Sequence, residues 1–224
     1  MSNIKDNLGK VEQQIKNACL KSNICPSSVD LLAVSKTKPA SDVELAYQAG
    51  QRLFGENYVQ EAVEKISTLN SLTDIAWHFI GPIQSNKTKL IAEHFHWVQS
   101  VDRIKIMQRL NEQRPPELGK LNICLQINIS GEESKSGAAL NQLPALIQAS
   151  KACSNLVLRG FMAIPEKGDA NLSFEKMHQL FKQYQLEIPT IDTLSMGMSA
   201  DMEQAIHHGS TMVRIGTAVF GSRN

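Results

Sequence analysis

The chain has 224 residues, of which 42% are hydrophobic and 20% are charged, and its formal net charge at pH 7 is +1. This composition excludes a disordered chain, a collagen-like chain and a disulfide scaffold, and the length suits one large domain or two small ones. Because the net charge is close to zero, no general electrostatic field is expected to hold nucleic acid or an anionic membrane. Any anion must therefore be bound at a local site.

Targeting segments and metal motifs are not expected from the sequence. The first ten residues lack the apolar core of a signal peptide, and no run of about 18 apolar residues occurs, so the expected location is the cytoplasm. The four cysteines form no CxxC pair, and the six histidines form no HExxH motif or Cys/His ligand set. We therefore expect reduced thiols and no metal site.

The first predicted elements are a helix, a strand and a second helix. Apolar residues such as Ile4 and Leu8 recur at helical spacing, which predicts a helix over residues 1–22. Residues 29–34 are a short apolar run of strand formers, and residues 42–47 read as a helix that stops at a glycine. This is the order of a strand followed by its crossover helix.

The same alternation of strand and helix continues to the end of the chain. Strands that are apolar on both faces and separated by helices indicate a parallel sheet covered by helices. Eight such units in one chain of this length favour a closed (β/α)8 barrel, a TIM barrel, over an open sheet. No linker divides the units, so we expect residues 1–224 to form a single domain. The predicted strands lie at 29–34, 52–54, 75–80, 95–99, 121–128, 156–162, 192–196 and 212–215.

Active sites of these barrels lie at the carboxyl ends of the strands, where the first predicted strand is followed by a lysine. Lys36 follows the most apolar strand of the chain, and Lys38 is close enough to repel its charge. Desolvation and repulsion both favour the neutral amine, which makes Lys36 a candidate Schiff-base nucleophile. From position alone, a solvated lysine at a strand end is an equal alternative.

Two turns rich in small residues follow the seventh and eighth predicted strands, where barrels of this kind commonly bind phosphate. Ser199 is placed to cap a helix over residues 200–208, whose free N–H groups would attract an anion. Gly216 and Thr217 form the second turn. Together with Lys36, these turns suggest a ligand with an aldehyde at one end and a phosphate at the other. Pyridoxal 5′-phosphate (PLP) fits that description.

Several long motifs make the chain recognisable as a whole. The sequence resembles the pyridoxal phosphate homeostasis protein family, which is itself similar to the N-terminal barrel of alanine racemase and other fold-type III PLP enzymes. The resemblance extends over essentially the entire chain. It is carried by AVSKTKP at 33–39, FGENYVQE at 54–61, WHFIGPIQSNK at 77–87, LSMGMSAD at 194–201 and RIGT at 214–217.

The resemblance implies roles for individual residues. Lys36 matches the lysine that holds PLP as an aldimine, and Ser199, Gly216 and Thr217 match positions that hold the phosphate. Arg214 matches the arginine that faces the pyridine nitrogen. Its fixed positive charge would keep that nitrogen unprotonated and would weaken the ring as an electron sink.

Further positions are implied as pocket neighbours or secondary contacts. Asn57 and Met198 match residues beside the cofactor, and Lys38 and Lys135 match lysines that could contact it. No catalytic residue is assigned, because alanine racemase takes a second base, a tyrosine, from a C-terminal β-domain for which we expect no room in this chain.

The resemblance therefore implies a monomeric cytoplasmic protein that binds PLP for vitamin B6 homeostasis, without efficient racemase activity and without nucleic-acid or membrane partners. PLP-dependent apo-enzymes are the candidate recipients of the cofactor. One alternative is a PLP-dependent amino-acid racemase or other fold-type III enzyme that draws its second base from Tyr58, His78 or Lys135. A more remote one is a class I aldolase that forms its Schiff base with a sugar phosphate.

Overall fold

The computed structural model describes residues 3–131, 136–165 and 170–222. Within them, eight parallel strands close into a barrel in sequence order, and the last strand pairs with the first. The strands are β1 (Asp30–Val34), β2 (Leu53–Glu56), β3 (Ala76–Phe79), β4 (Trp97–Val101), β5 (Leu121–Gln126), β6 (Leu156–Met162), β7 (Thr193–Ser195) and β8 (Met212–Ile215).

Helices surround this barrel, and the predicted (β/α)8 fold is confirmed. Strand residues are mostly buried whether they face inward or outward, because side chains fill the barrel and the helices cover its outer surface. The helices are α1 (Ile4–Lys21), α2 (Ala40–Gln48), α3 (Val59–Thr68), α4 (Thr88–His94), α5 (Ile104–Gln113), α6 (Leu143–Lys151), α7 (Ala170–Glu187), α8 (Met202–His207) and α9 (Thr217–Phe220).

The N-terminal helix predicted over residues 1–22 corresponds to α1, which completes the outer layer. It packs against α2, α8 and α9, and its buried stripe includes Leu8 and Val11. The helix after β8 has only four residues, so it is too short to cover the seam where β8 meets β1. The longer α1 covers this seam, and the Asn7 amide donates to the carbonyl of Val219 at 3.0 Å.

One glycine on β6 lies at a register shift between β5 and β6 and packs closely against β7. The shift falls between Ile123 and Cys124, where the chain meets Gly160. Gly160 has φ +149°, and a Cβ atom there would lie 1.8 Å from the carbonyl oxygen of Thr193 on β7. No other residue type fits so close to a neighbouring backbone, so this glycine lets β6 and β7 pair.

The described residues show neither a membrane span nor a metal cluster. None of the helices in ranges 3–131, 136–165 and 170–222 is long and apolar enough to cross a membrane. In the same ranges, no three His, Cys, Asp or Glu side chains lie together as metal ligands. Cys19, Cys25, Cys124 and Cys153 are all free thiols.

Candidate functional site

A cavity of about 360 Å³ opens at the carboxyl ends of the strands. Its volume is in the range of small-molecule sites, and its position is the one that TIM barrels use for ligands. Residues from the ends of β1, β6 and β8 and from the loops after β1, β2, β3, β6, β7 and β8 meet there. The lining consists of Val34, Lys36, Lys38, Asn57, Ile80, Met162, Ile164, Met198, Ser199, Ala200, Arg214, Gly216, Thr217 and Gly221.

The structure brings nearly all the sequence-predicted site residues together in this one cavity. They come from four separate stretches of the chain, and only the closed barrel makes them neighbours. Lys135 lies outside the described residues. The predicted residues in the lining are Lys36, Lys38, Asn57, Met198, Ser199, Arg214, Gly216 and Thr217.

The two lysines after β1 differ in their surroundings. Lys36 is half-buried at the strand end, and the following residue, Thr37, adopts φ +62°. The ammonium of Lys38 donates to the carbonyl of Ser222 at 2.9 Å, on the segment that follows α9. Lys38 is therefore held against the C-terminal segment at the rim of the cavity.

Arg214 is a buried cation on β8 with neutral acceptors. Its guanidinium donates to the carbonyl and hydroxyl oxygens of Ser195 at 2.7 and 2.9 Å, and to the carbonyl of Ala163 at 2.9 Å. Burial lowers the pKa of Arg214 to about 10, which still leaves it protonated at neutral pH. Because no carboxylate among the described residues accepts a hydrogen bond from it, its positive charge is available to an anion or to an electron-rich ring nitrogen in the cavity.

A chain of hydrogen bonds runs from Arg214 into the barrel interior. The hydroxyl of Ser195 donates to Oε1 of Gln99 at 2.7 Å, and the Gln99 amide donates to Nδ1 of His78 at 2.9 Å. Since β4 is not a neighbour of β7, the bond between Gln99 and Ser195 crosses the barrel. Each donor points away from Arg214, so the chain fixes both the guanidinium and the ring of His78. Burial lowers the pKa of His78 to about 3, so its imidazole is neutral.

The turn after β7 differs from the prediction. Ser199 does not cap a helix over 200–208, because α8 begins at Met202 with Asp201 at the N-cap position. Oδ1 of Asp201 accepts from the N–H of Met198 at 2.6 Å, and the N–H of Asp201 donates to the carbonyl of Met198 at 3.1 Å. These two bonds close a turn with Ser199 and Ala200 at its exposed tip, facing the cavity.

The turn after β8 brings backbone close to the first strand. Gly216 precedes α9, and a Cβ atom there would lie 3.2 Å from the carbonyl oxygen of Val34, tighter than most real contacts. The N–H groups of Thr217 and Ala218 open α9 and have no acceptor within the helix. This turn and the Met198–Asp201 turn therefore present small residues and backbone donors to the same cavity.

Asn57 contributes an unsatisfied polar atom. Its Oδ1 is buried and has no hydrogen-bond partner among the described residues. The backbone of Asn57 is fixed by Gly81, where a Cβ atom would lie 2.2 Å from the Asn57 carbonyl oxygen. A buried acceptor without a donor is unfavourable, so this oxygen favours a ligand that supplies one.

The described lining carries cations and no carboxylate. Lys36, Lys38 and Arg214 are its charged residues, and the rest are apolar, small or neutral polar. Sequence reasoning missed the apolar wall of Ile80, Met162 and Ile164. The first two are the last residues of predicted strands, so the rule that ligands bind at strand ends could have found them. The cavity is therefore suited to an anionic ligand with a flat or apolar body.

Comparisons with known proteins identify the family. The family described as alanine racemase, N-terminal domain, matches residues 7–224. A pyridoxal phosphate homeostasis protein of Haemophilus influenzae is 54% identical over 229 residues, which cover 99% of this chain and 97% of that protein. Its counterpart in Pseudomonas aeruginosa is 55% identical over 228 residues, covering 100% and 97%. This chain belongs to the pyridoxal phosphate homeostasis protein family.

Solved structures agree with membership of the pyridoxal phosphate homeostasis protein family. The structure of PipY from Synechococcus elongatus with PLP bound has a TM-score of 0.81 and 34% identity, covering 97% of this chain and 100% of that one. An alanine racemase of Clostridium difficile has a TM-score of 0.74 at 15% identity, covering all of this chain and 57% of that one. The latter likeness concerns the fold alone.

Two of the three candidates for a second base, Tyr58 and His78, lie apart from the cavity. Tyr58 is largely exposed and His78 is fully buried below the lining, and neither is among the residues that form the cavity wall. Lys135, the remaining candidate, lies outside the described residues. Of the described lining, only the lysines and Arg214 carry a titratable group.

Proposed function

We propose that the protein binds PLP through Lys36 and holds it for vitamin B6 homeostasis, storing or delivering the cofactor. The observation that carries this proposal is that Lys36 shares one cavity with Arg214 and both small-residue turns. PLP requires of a site an amine for its aldehyde, a cation beside its ring and backbone donors for its phosphate. The names of the relatives and the PLP-bound PipY structure support the same ligand.

The residues present fit the cofactor. Oδ1 of Asn57 is a buried acceptor with no donor, which a ligand hydroxyl or N–H group would satisfy. Gly216 has no side chain, and its close approach to Val34 leaves little room for one, so the backbone of the second turn is unobstructed. The lining contains no carboxylate among its described residues, so nothing in it repels a phosphate.

Each group has a separate task in this proposal. PLP supplies an aldehyde that condenses reversibly with a primary amine, forming a carbon–nitrogen double bond and releasing water. Lys36 supplies that amine, while Ser199, Gly216 and Thr217 hold the phosphate through hydroxyl and backbone donors. Arg214 holds a positive charge beside the ring nitrogen and keeps that nitrogen unprotonated.

We further propose that the protein has no efficient racemase activity. Two-base chemistry at the substrate Cα needs a second titratable group within hydrogen-bond reach, and in the described lining Lys38 is the remaining amine. Lys38 is already bonded to Ser222. Transfer of the cofactor to another amine needs no such base, because that amine displaces Lys36 directly.

The remaining parts of the proposal concern the protein as a whole. We place residues 1–224 in one PLP-binding domain that acts as a monomer in the cytoplasm, where free thiols such as those of Cys19 and Cys124 stay reduced. PLP-dependent apo-enzymes are the proposed recipients. Light scattering on a sizing column tests the monomer directly, with a dimer mass contradicting it.

A trapping experiment tests the covalent link. The purified protein is mixed with PLP, reduced with borohydride, weighed intact and digested. We expect one pyridoxyl group per chain, on the peptide that contains Lys36. Reduction in the absence of PLP is the control. A parallel reaction offers a sugar phosphate in place of PLP, and its preferential capture by Lys36 would support the aldolase instead. The absence of a PLP adduct on Lys36 would contradict the proposal.

A second experiment separates storage from racemase chemistry. The PLP-loaded protein is incubated with a panel of amino acids in heavy water, and deuterium at Cα is followed by NMR. We expect exchange no faster than with free PLP, because the described part of the lining offers no second base. Sustained exchange at enzymatic rates of about 1 per second or more would favour the racemase.

A further inference from the structure

A buried ion-pair cluster lies directly behind Lys36. We call it the Lys65 cluster, and it consists of Ser35, Glu56, Glu61 and Lys65. The Lys65 ammonium, on α3, donates to the carbonyl of Ser35 at 2.7 Å, to Oε1 of Glu56 at 2.7 Å and to Oε1 of Glu61 at 2.6 Å. Its side chain is 6% exposed, and all three of its donors are satisfied.

The cluster holds both peptide groups of Lys36. The Ser35 carbonyl, which accepts from Lys65, belongs to the peptide group before Lys36. The N–H of Thr37, which belongs to the peptide group after Lys36, donates to Oε1 of Glu61 at 2.6 Å. The backbone on the two sides of the proposed nucleophile is therefore fixed by one ammonium and one carboxylate that are themselves paired.

The second of these bonds stabilises an unfavourable backbone conformation. Thr37 has φ +62°, which costs a residue with a Cβ about 1–2 kcal/mol. Conformations of this kind persist only where the surroundings enforce them, and they are concentrated at functional sites. Without Glu61 the segment after Lys36 would be free to relax, and the direction of the Lys36 side chain would change with it.

Stability alone does not explain the cluster. Glu56 is fully buried, its Oε2 has no hydrogen-bond partner among the described residues, and burial raises its pKa against the opposing effect of Lys65 and Ser35. Buried ion pairs of this kind often contribute less to stability than apolar side chains of similar volume. The bonds of the cluster to the backbone before and after Lys36 point instead to a role in holding that residue in place.

We propose that Glu61 and Lys65 are positioning residues that direct the Lys36 amine toward the aldehyde of the cofactor. This inference rests on the proposed function. It assigns no contact between the cluster and the cofactor, and acts only through the Lys36 backbone. Loss of the cluster should therefore slow condensation of Lys36 with PLP without weakening the binding of the ring and phosphate.

The experiment compares two ligands that differ only at the reacting group. PLP carries an aldehyde, whereas pyridoxine 5′-phosphate carries an alcohol and cannot condense with Lys36. Glu61→Ala removes the oxygen that accepts from both the Thr37 N–H and Lys65, while Glu61→Gln keeps an acceptor oxygen. The matched control is Glu93→Ala, which breaks the exposed i,i+4 pair with Lys89 on α4. Condensation is followed by stopped-flow absorbance, pyridoxine 5′-phosphate affinity by calorimetry, and folding by thermal unfolding.

We expect Glu61→Ala to slow condensation roughly 10- to 100-fold while the affinity for pyridoxine 5′-phosphate stays within about twofold. Glu61→Gln should recover most of the rate, and Glu93→Ala should match the wild type. Condensation at the wild-type rate in Glu61→Ala would overturn the inference. So would an equal loss of rate and affinity, which is the result of a merely structural role.

A second arm covers the case in which Glu61→Ala does not fold. Lys65→Met combined with Glu56→Gln removes the ammonium without leaving Glu56 charged and unpaired. The same separation of rate from affinity is expected, and its absence from this double variant overturns the inference. A wild-type protein that forms no covalent adduct with PLP would contradict the proposed function itself, so the two failures are distinguishable.

Discussion

Gly81 shows how a single residue without a side chain shapes the candidate site. A Cβ atom at this position would lie 2.2 Å from the carbonyl oxygen of Asn57 and 2.7 Å from its Cα. Both contacts are with backbone, which cannot move aside as the end of a flexible side chain can. Asn57 therefore stays in the lining only as long as position 81 is glycine.

Gly81→Ala is expected to lower the free energy of unfolding by roughly 1–3 kcal/mol, because the added methyl group forces the backbone of Asn57 away. The affinity for pyridoxine 5′-phosphate should fall with it. Urea unfolding and calorimetry measure the two effects. Gly9→Ala is the control, since nothing lies within 4 Å of its Cβ position in α1, and it should stabilise the helix by about 0.5–1 kcal/mol. A Gly81→Ala protein as stable as wild type would contradict the steric argument.

Residue patterns predicted the residues that line the cavity better than the residues that hold the lining in place. Lys36, Gly216 and Thr217 follow apolar strands, so the barrel topology alone brings them to one end. Lys65 gave a weaker signal: it shares the buried face of α3 with Val59 and Ala62, at a spacing of three residues, but a lysine in such a helix is usually solvated. Its partners lie on other elements, which local spacing does not reveal.

At the scale of elements, strand positions were predicted more closely than helix starts. All eight predicted strands are present, because each is a compact apolar run bounded by polar or small residues. The start of α8 was misplaced because Ser199 and Asp201 are both good N-cap residues, and the sequence does not show which one is used. The Asp201 carboxylate accepts from the N–H of Met198, three residues earlier, which closes the preceding turn, and the helix begins after Asp201.

Ser195 on β7 links Gln99 on β4 to Arg214 on β8 through hydrogen bonds of its side chain. Ser195→Ala removes the donor to Gln99 and one of the acceptors of Arg214, while the carbonyls of Ser195 and Ala163 still hold the guanidinium. We expect the free energy of unfolding to fall by about 1–3 kcal/mol, because a buried amide oxygen is left without its donor.

Urea unfolding of the variant and of Ser150→Ala measures this loss. Ser150 is a partly buried serine of α6 whose hydroxyl bonds only to its own helix, at the carbonyl of Ile147, so its replacement should be nearly neutral. Equal stability of the two variants would show that the chain from Arg214 to His78 contributes nothing to the fold.

For the molecule as a whole, near-neutral charge and local anion recognition are compatible because the charges are segregated. The net charge is +1, yet the described lining of the cavity carries cations and no carboxylate. Glu56 and Glu61, whose bonds hold the backbone on either side of Lys36 through Lys65 and Thr37, are both paired with Lys65. The cavity can therefore attract an anion although the chain is near neutral, and backbone donors add to that attraction.

The barrel interior also makes the stability of the whole protein depend on pH. His78 is fully buried, its ring stacks on Trp97 with centroids 5.0 Å apart, and burial together with His96 lowers its pKa to about 3. In the unfolded chain the same histidine has an ordinary pKa near 6.5. Between these two values the unfolded state binds a proton that the folded state does not, so stability is full above pH 6.5 and is lost as the pH falls toward 3.

We therefore expect His78 to account for a loss of about 2 kcal/mol in the free energy of unfolding between pH 7 and pH 5. Urea unfolding at both pH values measures it. His78→Asn keeps an acceptor for the Gln99 amide but does not titrate, so it should be less stable at pH 7 yet lose about 2 kcal/mol less than wild type on acidification. Ser150→Ala removes no titratable group, and the Ser150 hydroxyl bonds to the carbonyl of Ile147 in its own helix, so this variant should retain the wild-type dependence. Equal losses in wild type and His78→Asn would show that the buried imidazole accepts its proton without unfolding of the barrel.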